Sequence, residues 1–341
     1  MYSQEEQIGL FLIAGDLFED HQIDVTAVLD VYNLLSRFDG LTIVITPGNH
    51  DPIGMPGTIW DRPPFQTLPP HIRLVRTAQA IELEECFLIP NPTRQKKSST
   101  DPSALLLEHA RSLPHTKPRI GIAHGSPAID SKHQHDDFPI QLETAMATDL
   151  DYVALGHWHR YQVFSGGRMV MPGTPEPTAY GEKGSVVCVE LEPSRGSVTS
   201  HAVDLAEFAW REFIFDLDVQ TSDVILSTIQ KCMASDRRHV VSVLLTGHAD
   251  AATVDTIKEQ LSQQRSENNW LEIRDQVSGN FAETEKLSRE SPILAAVLDK
   301  LDSVESLKAT AKEIGIPEDL LEDPEFFEMT RRILQGAVER K

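Results

Sequence analysis

LTIVITPGNHD, residues 41–51, is the stretch that decides the fold, because its apolar strand runs directly into side chains suited to binding a metal ion. Three other apolar runs end in the same way: IGLFLIAG before Asp16, RIGIA before His124, and YVALG before His157 and His159. Continuous apolar runs of this length are typical of strands buried on both faces of a parallel sheet. Ligand sites of open α/β sheets lie beyond the carboxyl ends of the strands, so we expect the four clusters to converge.

Composition restricts the class of protein. The chain has 341 residues, of which 40% are hydrophobic, and its three cysteines, Cys86, Cys188 and Cys232, lack the spacing of a zinc site. The first residues, MYSQEEQ, are acidic and polar, unlike a signal peptide, and no apolar run approaches the ~20 residues of a membrane span. We therefore expect a cytoplasmic protein with reduced thiols and no membrane association.

The net charge of −21 argues against a broad nucleic-acid-binding face. Proteins that bind DNA through its phosphates usually present a basic surface. Any contact with DNA is therefore expected to be local, assisted by a metal ion, or supplied by a partner protein.

Periodicity divides the chain into three parts. Residues 1–205 hold all the ligand clusters, and strands alternate there with a predicted helix at 22–38, which is the βαβ pattern of an α/β fold. Residues 52–70 are rich in Pro and Gly and are predicted to form a loop. Residues 206–283 have the pattern of a compact α+β module, and residues 284–341 have helical spacing.

PGNHD, residues 47–51, is the most specific of the clusters. The Pro-Gly turn exposes Asn49, whose amide oxygen can bind a metal ion, and His50, which can act as a general acid on a leaving oxygen. Asp16 follows a strand and can bridge two cations through its two oxygens. Taken alone, Asp16 could equally be the N-cap of a helix.

The histidine clusters complete the predicted site. His157 and His159 are two residues apart, so an extended backbone points both imidazoles the same way, and Gly156 permits close approach of the backbone. His124 alone would more often be a core or surface histidine. Together, carboxylate, amide and imidazole ligands suit Mn²⁺, Fe or Zn²⁺. Two such ions about 3.5–4 Å apart would polarise a phosphate and generate a hydroxide nucleophile.

The chain resembles the calcineurin-like metallophosphoesterases in four motifs and in their order: the Asp16 motif, PGNHD, His124-Gly125 and GHWH. GDLF, PGNHD, and GHWH followed by PGTPEP are similar to the SbcD-type DNA exonucleases of double-strand-break repair. The resemblance implies an α/β fold, a four-layer sandwich of two mixed β-sheets flanked by helices. It also implies three parts: a nuclease domain at 1–205, an α+β capping and DNA-recognition domain at 206–283, and a helical tail at 284–341.

The resemblance further implies a site with two Mn²⁺ ions, DNA ends as the substrate, and an SbcC-like SMC-type ATPase as the partner, docked through the tail. It implies a homodimer as well. His50 would protonate the leaving 3′ oxygen. The implied ligands of one ion are Asp16, Asn49, His124 and His157, and those of the other include Asp16 and His159.

One motif of that family is missing. The family opens with a strand ending in Asp-x-His, which binds the ion shared with His159, whereas residues 1–15 contain neither Asp nor His. We expect the second metal position to be weak or empty, so that this chain binds one ion or none. A start that omits a βα unit of ~40 residues is one explanation. A natural one-metal or non-catalytic variant is another.

The sequence therefore leaves three functions open. The first is a metal-dependent DNA exonuclease subunit acting in repair. The second is a phosphatase or phosphodiesterase for small substrates, which the acidic composition favours. The third is a non-catalytic subunit on the same fold.

Overall fold

A computed structural model of the chain describes residues 8–129, 136–146, 149–192, 197–234 and 237–278. The predicted helical tail at 284–341 lies outside these residues. The chain divides into two compact units, Met1–Ala206 and Glu207–Lys341.

The first unit consists of strands with few helices among its described residues. Its strands are β1 Leu10–Ala14, β2 Thr42–Thr46, β3 Ile72–Leu74, β4 Ile81–Glu82, β5 Phe87–Pro90, β6 Arg119–His124, β7 Tyr152–Gly156, β8 Gln162–Phe164, β9 Met169–Met171, β10 Val186–Leu191 and β11 Val198–Val203. Its helices are α1 Val25–Leu35, α2 Pro63–Gln66 and α3 Ser103–Ser112, with 3-10 turns at Ile59–Asp61, Leu142–Met146 and Ser165–Gly167.

Two larger sheets organise this unit. One is the parallel sheet β1-β2-β3, and the other has the order β4-β5-β6-β7-β9-β8. In the six-stranded sheet the central strands are parallel, while β4 and β8 pair antiparallel at the two edges. β10 and β11 form a separate antiparallel pair.

The layers can be traced through the residues of β2, which alternate between two buried clusters. Ile43 and Ile45 lie in one cluster with Val28 of α1. Val44 points the other way and lies in a second cluster with Ile122 of β6. A third cluster joins the opposite face of the six-stranded sheet to α3. The predicted α/β sandwich of helix, sheet, sheet and helix is confirmed, although the described three-stranded sheet is wholly parallel rather than mixed.

Two sequence expectations were wrong. The apolar run of β1 is not fully buried, since Phe11 is 38% exposed. Within the described residues β1 is an edge strand that pairs only with β2. Residues 52–70 are not simply a loop, since Trp60 and Phe65 are buried there and pack edge-on with ring centroids 5.0 Å apart. Phe18 joins them, so this Pro-rich segment belongs to the core beneath α1.

The second unit has a parallel sheet in the order β12-β13-β14. Its described elements are β12 Phe208–Asp216, α4 Ser222–Met233, β13 Arg238–Thr246, α5 Ala251–Ser262 and β14 Asn269–Asp275. Val241, Val243 and Leu245 of β13 share a buried cluster with Ile225 and Ile257 of the helices. Alternate strand residues therefore face the helices, as the strand periodicity predicts.

The thiols and the helix lengths complete the description. Cys86 and Cys188 are buried, and Cys232 is half-buried. Within the described part of the chain, every helix is too short or too polar to cross a bilayer.

Candidate metal centre

The carboxyl ends of four strands meet at one edge of the two sheets. Ala14 at the end of β1 pairs with Thr46 at the end of β2, and His124 at the end of β6 pairs with Gly156 at the end of β7. The two pairs approach closely, because Nδ1 of His124 lies 2.8 Å from the carbonyl oxygen of Ala14. The residues that follow these strand ends are therefore brought together.

Four side-chain atoms converge at this edge. Asp16 Oδ2 lies 3.0 Å from Nε2 of His124, and Asn49 Oδ1 lies 2.8 Å from the same nitrogen. Nδ1 of His157 is 2.9 Å from Asn49 Oδ1 and 3.2 Å from His124 Nε2. Asp16, His124 and His157 have the spacing of a group that could hold a metal ion.

These spacings fit a divalent cation. Ligands held about 2.1 Å from one ion, at right angles to each other, are about 3.0 Å apart. The observed separations run from 2.8 to 3.2 Å, so the four atoms stand as neighbouring ligands would. One carboxylate, one amide oxygen and two imidazole nitrogens, with no thiolate, suit Mn²⁺, Fe or Zn²⁺.

The hydrogen bond to Ala14 decides which nitrogen of His124 faces the cluster. A backbone carbonyl can only accept, so Nδ1 of His124 carries the proton in this contact. In the neutral ring the lone pair is then on Nε2, the nitrogen directed at Asp16 and Asn49. His124 is 1% exposed, so its orientation is set by the surrounding core.

The pKa values show how the cluster behaves without a cation. Burial works to lower the pKa of His124, but the hydrogen bond and charge of Asp16 raise it, and the net direction is upward. Burial works to raise the pKa of Asp16, whereas His124 lowers it, with a net downward shift. Burial and the charge of His124 together lower the pKa of His157. These shifts favour an ion pair between Asp16, whose side chain is 23% exposed, and the buried His124, and they favour the neutral form of His157.

The backbone at the site is strained. Asp16 and His157 have positive φ angles of 53° and 124°, which are uncommon for residues with side chains. A Cβ at Gly156 would lie 1.8 Å from the carbonyl oxygen of Ala14. Gly156 therefore lets the ends of β7 and β1 touch.

His50 lies beside the cluster. Its backbone N–H donates to Asp16 Oδ1 at 2.9 Å. Its ring Nδ1 lies 2.9 Å from the carbonyl oxygen of Glu19 and 3.3 Å from the Glu19 carboxylate. Both partners accept, so Nδ1 carries a proton, and Nε2 is the nitrogen that can exchange a proton with a substrate. The side chain of His50 is 44% exposed.

The structure does not bring His159 into the cluster. Its Nδ1 lies 3.1 Å from Thr178 Oγ1 and 3.3 Å from Glu182 Oε1, and its side chain is 56% exposed. His159 is also outside the group formed by Asp16, His124 and His157. Although His159 is only two positions after His157 in the sequence, the positive φ of His157 departs from the extended geometry that would have aligned the two rings.

Sequence reasoning missed two carboxylates. Asp51 is fully buried and accepts from the N–H groups of Gly48 at 2.6 Å and Phe18 at 3.1 Å, tying the PGNHD turn to the segment after β1. Asp137 lies 2.9 Å from Nε2 of His157. Asp51 stands inside a motif and could have been suspected, whereas no sequence pattern marks Asp137.

The fold and the site define a metal-dependent phosphoesterase. Residues 2–161 match the family model described as calcineurin-like phosphoesterase. This part of the chain is therefore a calcineurin-like metallophosphoesterase domain, a class of domain that binds divalent metal ions.

Two curated proteins are similar to the chain. An uncharacterised metallophosphoesterase, YhaO of Bacillus subtilis (strain 168), is 21% identical over 328 residues, which is 87% of this chain and 76% of the relative. The SbcD subunit of the nuclease SbcCD of Rhodobacter capsulatus is 29% identical over 224 residues, which is 52% of this chain and 55% of that protein. The match to the nuclease thus covers about half of each chain.

Proposed function

We propose that this chain hydrolyses phosphodiester bonds at DNA ends, as a Mn²⁺-dependent exonuclease subunit acting in repair. The observation that carries the proposal is the convergence of four ligand atoms, from Asp16, Asn49, His124 and His157, within 3.2 Å of their neighbours. We propose that these four residues bind the catalytic cation.

A bound cation would polarise the phosphate and lower the pKa of a water molecule that attacks it. The chain's own residues would position the reactants. His50 is anchored through its backbone to Asp16 and through Nδ1 to Glu19. Because Nδ1 already donates to Glu19, the doubly protonated ring would carry its second proton on Nε2 and present it to the leaving 3′ oxygen, as a general acid.

Similarity to a nuclease subunit supports DNA as the substrate. The net charge of −21 is then a constraint on how DNA is held, since phosphate binding calls for basic groups. We propose that an SbcC-like SMC-type ATPase supplies that surface and docks through residues 284–341, that residues 206–283 cap the nuclease domain and contact DNA, and that the assembly is a cytoplasmic dimer.

We further propose that this chain binds one cation tightly. Asp16, Asn49, His124 and His157 supply four neighbouring ligand atoms for one cation. His159 pairs instead with Thr178 and Glu182. A second ion would have to draw His159 away from those partners.

The alternative is hydrolysis of small phosphodiesters. The acidic composition favours it, because small substrates need no extended basic surface. The alignment with YhaO also covers more of this chain than the alignment with the nuclease, although the name of YhaO specifies no substrate.

The experiment compares two substrates. The chain, alone and with an SbcC-type ATPase, is given Mn²⁺ and either end-labelled duplex DNA or bis(p-nitrophenyl) phosphate. We expect Mn²⁺-dependent release of nucleotides from DNA, lost in His50→Ala and retained in His109→Ala, a control histidine on α3. Faster turnover of the small ester than of DNA would favour the alternative. No hydrolysis of either substrate would contradict both and favour a non-catalytic subunit.

A further inference from the structure

Asp137 contacts the far side of the His157 ring. Its Oδ1 lies 2.9 Å from Nε2, whereas Nδ1 of the same ring faces Asn49 at 2.9 Å and His124 at 3.2 Å. The side chains of His157 and Asp137 are 13% and 31% exposed, so water has limited access to the contact. Asp137 is not a member of the group that could hold a metal ion.

This contact determines the tautomer of His157. A carboxylate oxygen accepts hydrogen bonds and does not donate them, so the shared proton belongs to Nε2. A neutral imidazole carries one proton, and Nδ1 is therefore left with its lone pair directed into the cluster. Without Asp137, Nδ1 could carry the proton and donate it to Asn49 Oδ1 at 2.9 Å. A protonated Nδ1 cannot bind a cation.

Asp137 is itself held in place by buried groups. The Ser126 hydroxyl donates to Asp137 Oδ2, and Nε1 of Trp158 donates to the Ser126 oxygen at 2.8 Å. Ser126 is fully buried, and its backbone N–H also donates to the Asp137 carbonyl oxygen at 3.2 Å. Both carboxylate oxygens are therefore engaged, one by the scaffold and one by the imidazole.

We propose that Asp137 is a positioning residue that holds His157 in the Nε2–H tautomer and so prepares Nδ1 to bind the divalent cation. The inference rests on the proposed function, because it assigns a role toward the cation bound there. Groups that orient a ligand in this way typically change metal affinity by about 10- to 100-fold.

Asp137→Ala tests the proposal through two measurements. Nitrogen-15 NMR of the metal-free protein at mildly alkaline pH identifies the protonated nitrogen of His157, with His157→Gln used for assignment. Calorimetric titration with Mn²⁺ measures affinity. We expect Nε2–H in the unmodified protein, a shift of population to Nδ1–H in Asp137→Ala, and affinity lower by about 10- to 100-fold. Asp137→Asn keeps one acceptor oxygen, so it is expected to restore part of both properties.

Asp136→Ala is the matched control. It removes the neighbouring carboxylate, which lies 3.0 Å from Nζ of Lys97 at the surface, and so makes the same change in net charge. The Mn²⁺ affinity of Asp136→Ala is expected to stay within about threefold of that of the unmodified protein, since exposed charges are screened. An unchanged tautomer in Asp137→Ala would overturn the proposal even if affinity fell, because Asp137 would then act through charge alone.

The two proposals fail in different ways. If the unmodified protein binds no Mn²⁺, the proposed function is refuted, yet the NMR spectrum still decides the tautomer. If Mn²⁺ binds equally well to Asp137→Ala and the unmodified protein, the positioning role is refuted while the metal centre stands.

Discussion

Gly156→Ala probes the contact between the ends of β1 and β7. The added Cβ would lie 1.8 Å from the Ala14 carbonyl oxygen and 3.0 Å from Nδ1 of His124. Real Cβ atoms essentially never approach closer than 3.0 Å, so the strand ends must separate by roughly 1 Å. His157 is the next residue and would move away from Asp16 with the strand.

The magnitude follows from that displacement. Overpacking of a tight contact costs about 1–3 kcal/mol of unfolding free energy. The same distortion displaces the ligand His157 and so weakens cation binding. Each 1.4 kcal/mol of binding free energy lost lowers the affinity about tenfold. We expect Mn²⁺ to bind about tenfold more weakly, and phosphodiester hydrolysis to slow by about 100-fold, the usual effect of a 1 Å misplacement.

Urea unfolding in EDTA measures the unfolding free energy, and calorimetric titration measures the affinity for Mn²⁺. Gly40→Ala is the control, since a Cβ at Gly40 meets nothing within 4 Å. If Gly156→Ala and Gly40→Ala behave alike in both measurements, the close approach of β1 and β7 is not needed for the site, and the reasoning is refuted.

Three further predictions concern ionisable groups of the site. Mn²⁺ at about 100 times its dissociation constant is expected to raise the unfolding free energy by about 2.7 kcal/mol; urea unfolding of Asp16→Ala should show no such increase. Burial lowers the pKa of His124, but Asp16 raises it more, so protonated His124 stabilises the metal-free protein below its ordinary pKa of about 6.5, and this contribution is lost as pH rises through the raised value. Because a cation displaces that proton, Mn²⁺ affinity measured by calorimetry is expected to rise with pH over the same range; a flat profile would contradict the ion pair. Burial raises the pKa of Asp51 from 3.8 to about 6, so its neutral form is favoured in the fold. Between about pH 4 and 7, the unfolding free energy of the metal-free protein should therefore fall by about 3 kcal/mol relative to that of Asp51→Asn. A pH-independent difference between the two proteins in urea unfolding would count against the pKa shift.

Much of the fold could be predicted because its signals are local. An apolar run followed by a polar cluster marks the end of a buried strand, and this pattern holds at β2, β6 and β7. The predicted helix at 22–38 begins at Val25, where the Asp24 side chain accepts from the Thr26 N–H at 2.7 Å. It ends at Leu35, ahead of Gly40, since the ends of helices depend on packing as well as on sequence.

Other features could not be predicted because they depend on contacts between distant segments. Trp60 and Phe65 are buried in a stretch whose Pro and Gly content indicates a loop, and their burial requires α1 and Phe18 as neighbours. The apolar run of β1 gives no sign that one edge of the strand is without a partner strand in the described part of the chain. Asp137 lies 20 residues before His157 and has no motif around it.

The sequence by itself determined the class of fold and the kinds of ligand, because strand periodicity and residue chemistry are properties of short segments. Only the tertiary structure decided which atoms of those ligands face each other. Nδ1 of His157 and Nε2 of His124 point inward because Asp137 and the Ala14 carbonyl accept from their opposite nitrogens. His159 lies apart with Thr178 and Glu182. Such hydrogen bonds join residues far apart in the chain, so they exist only once the sheets have packed.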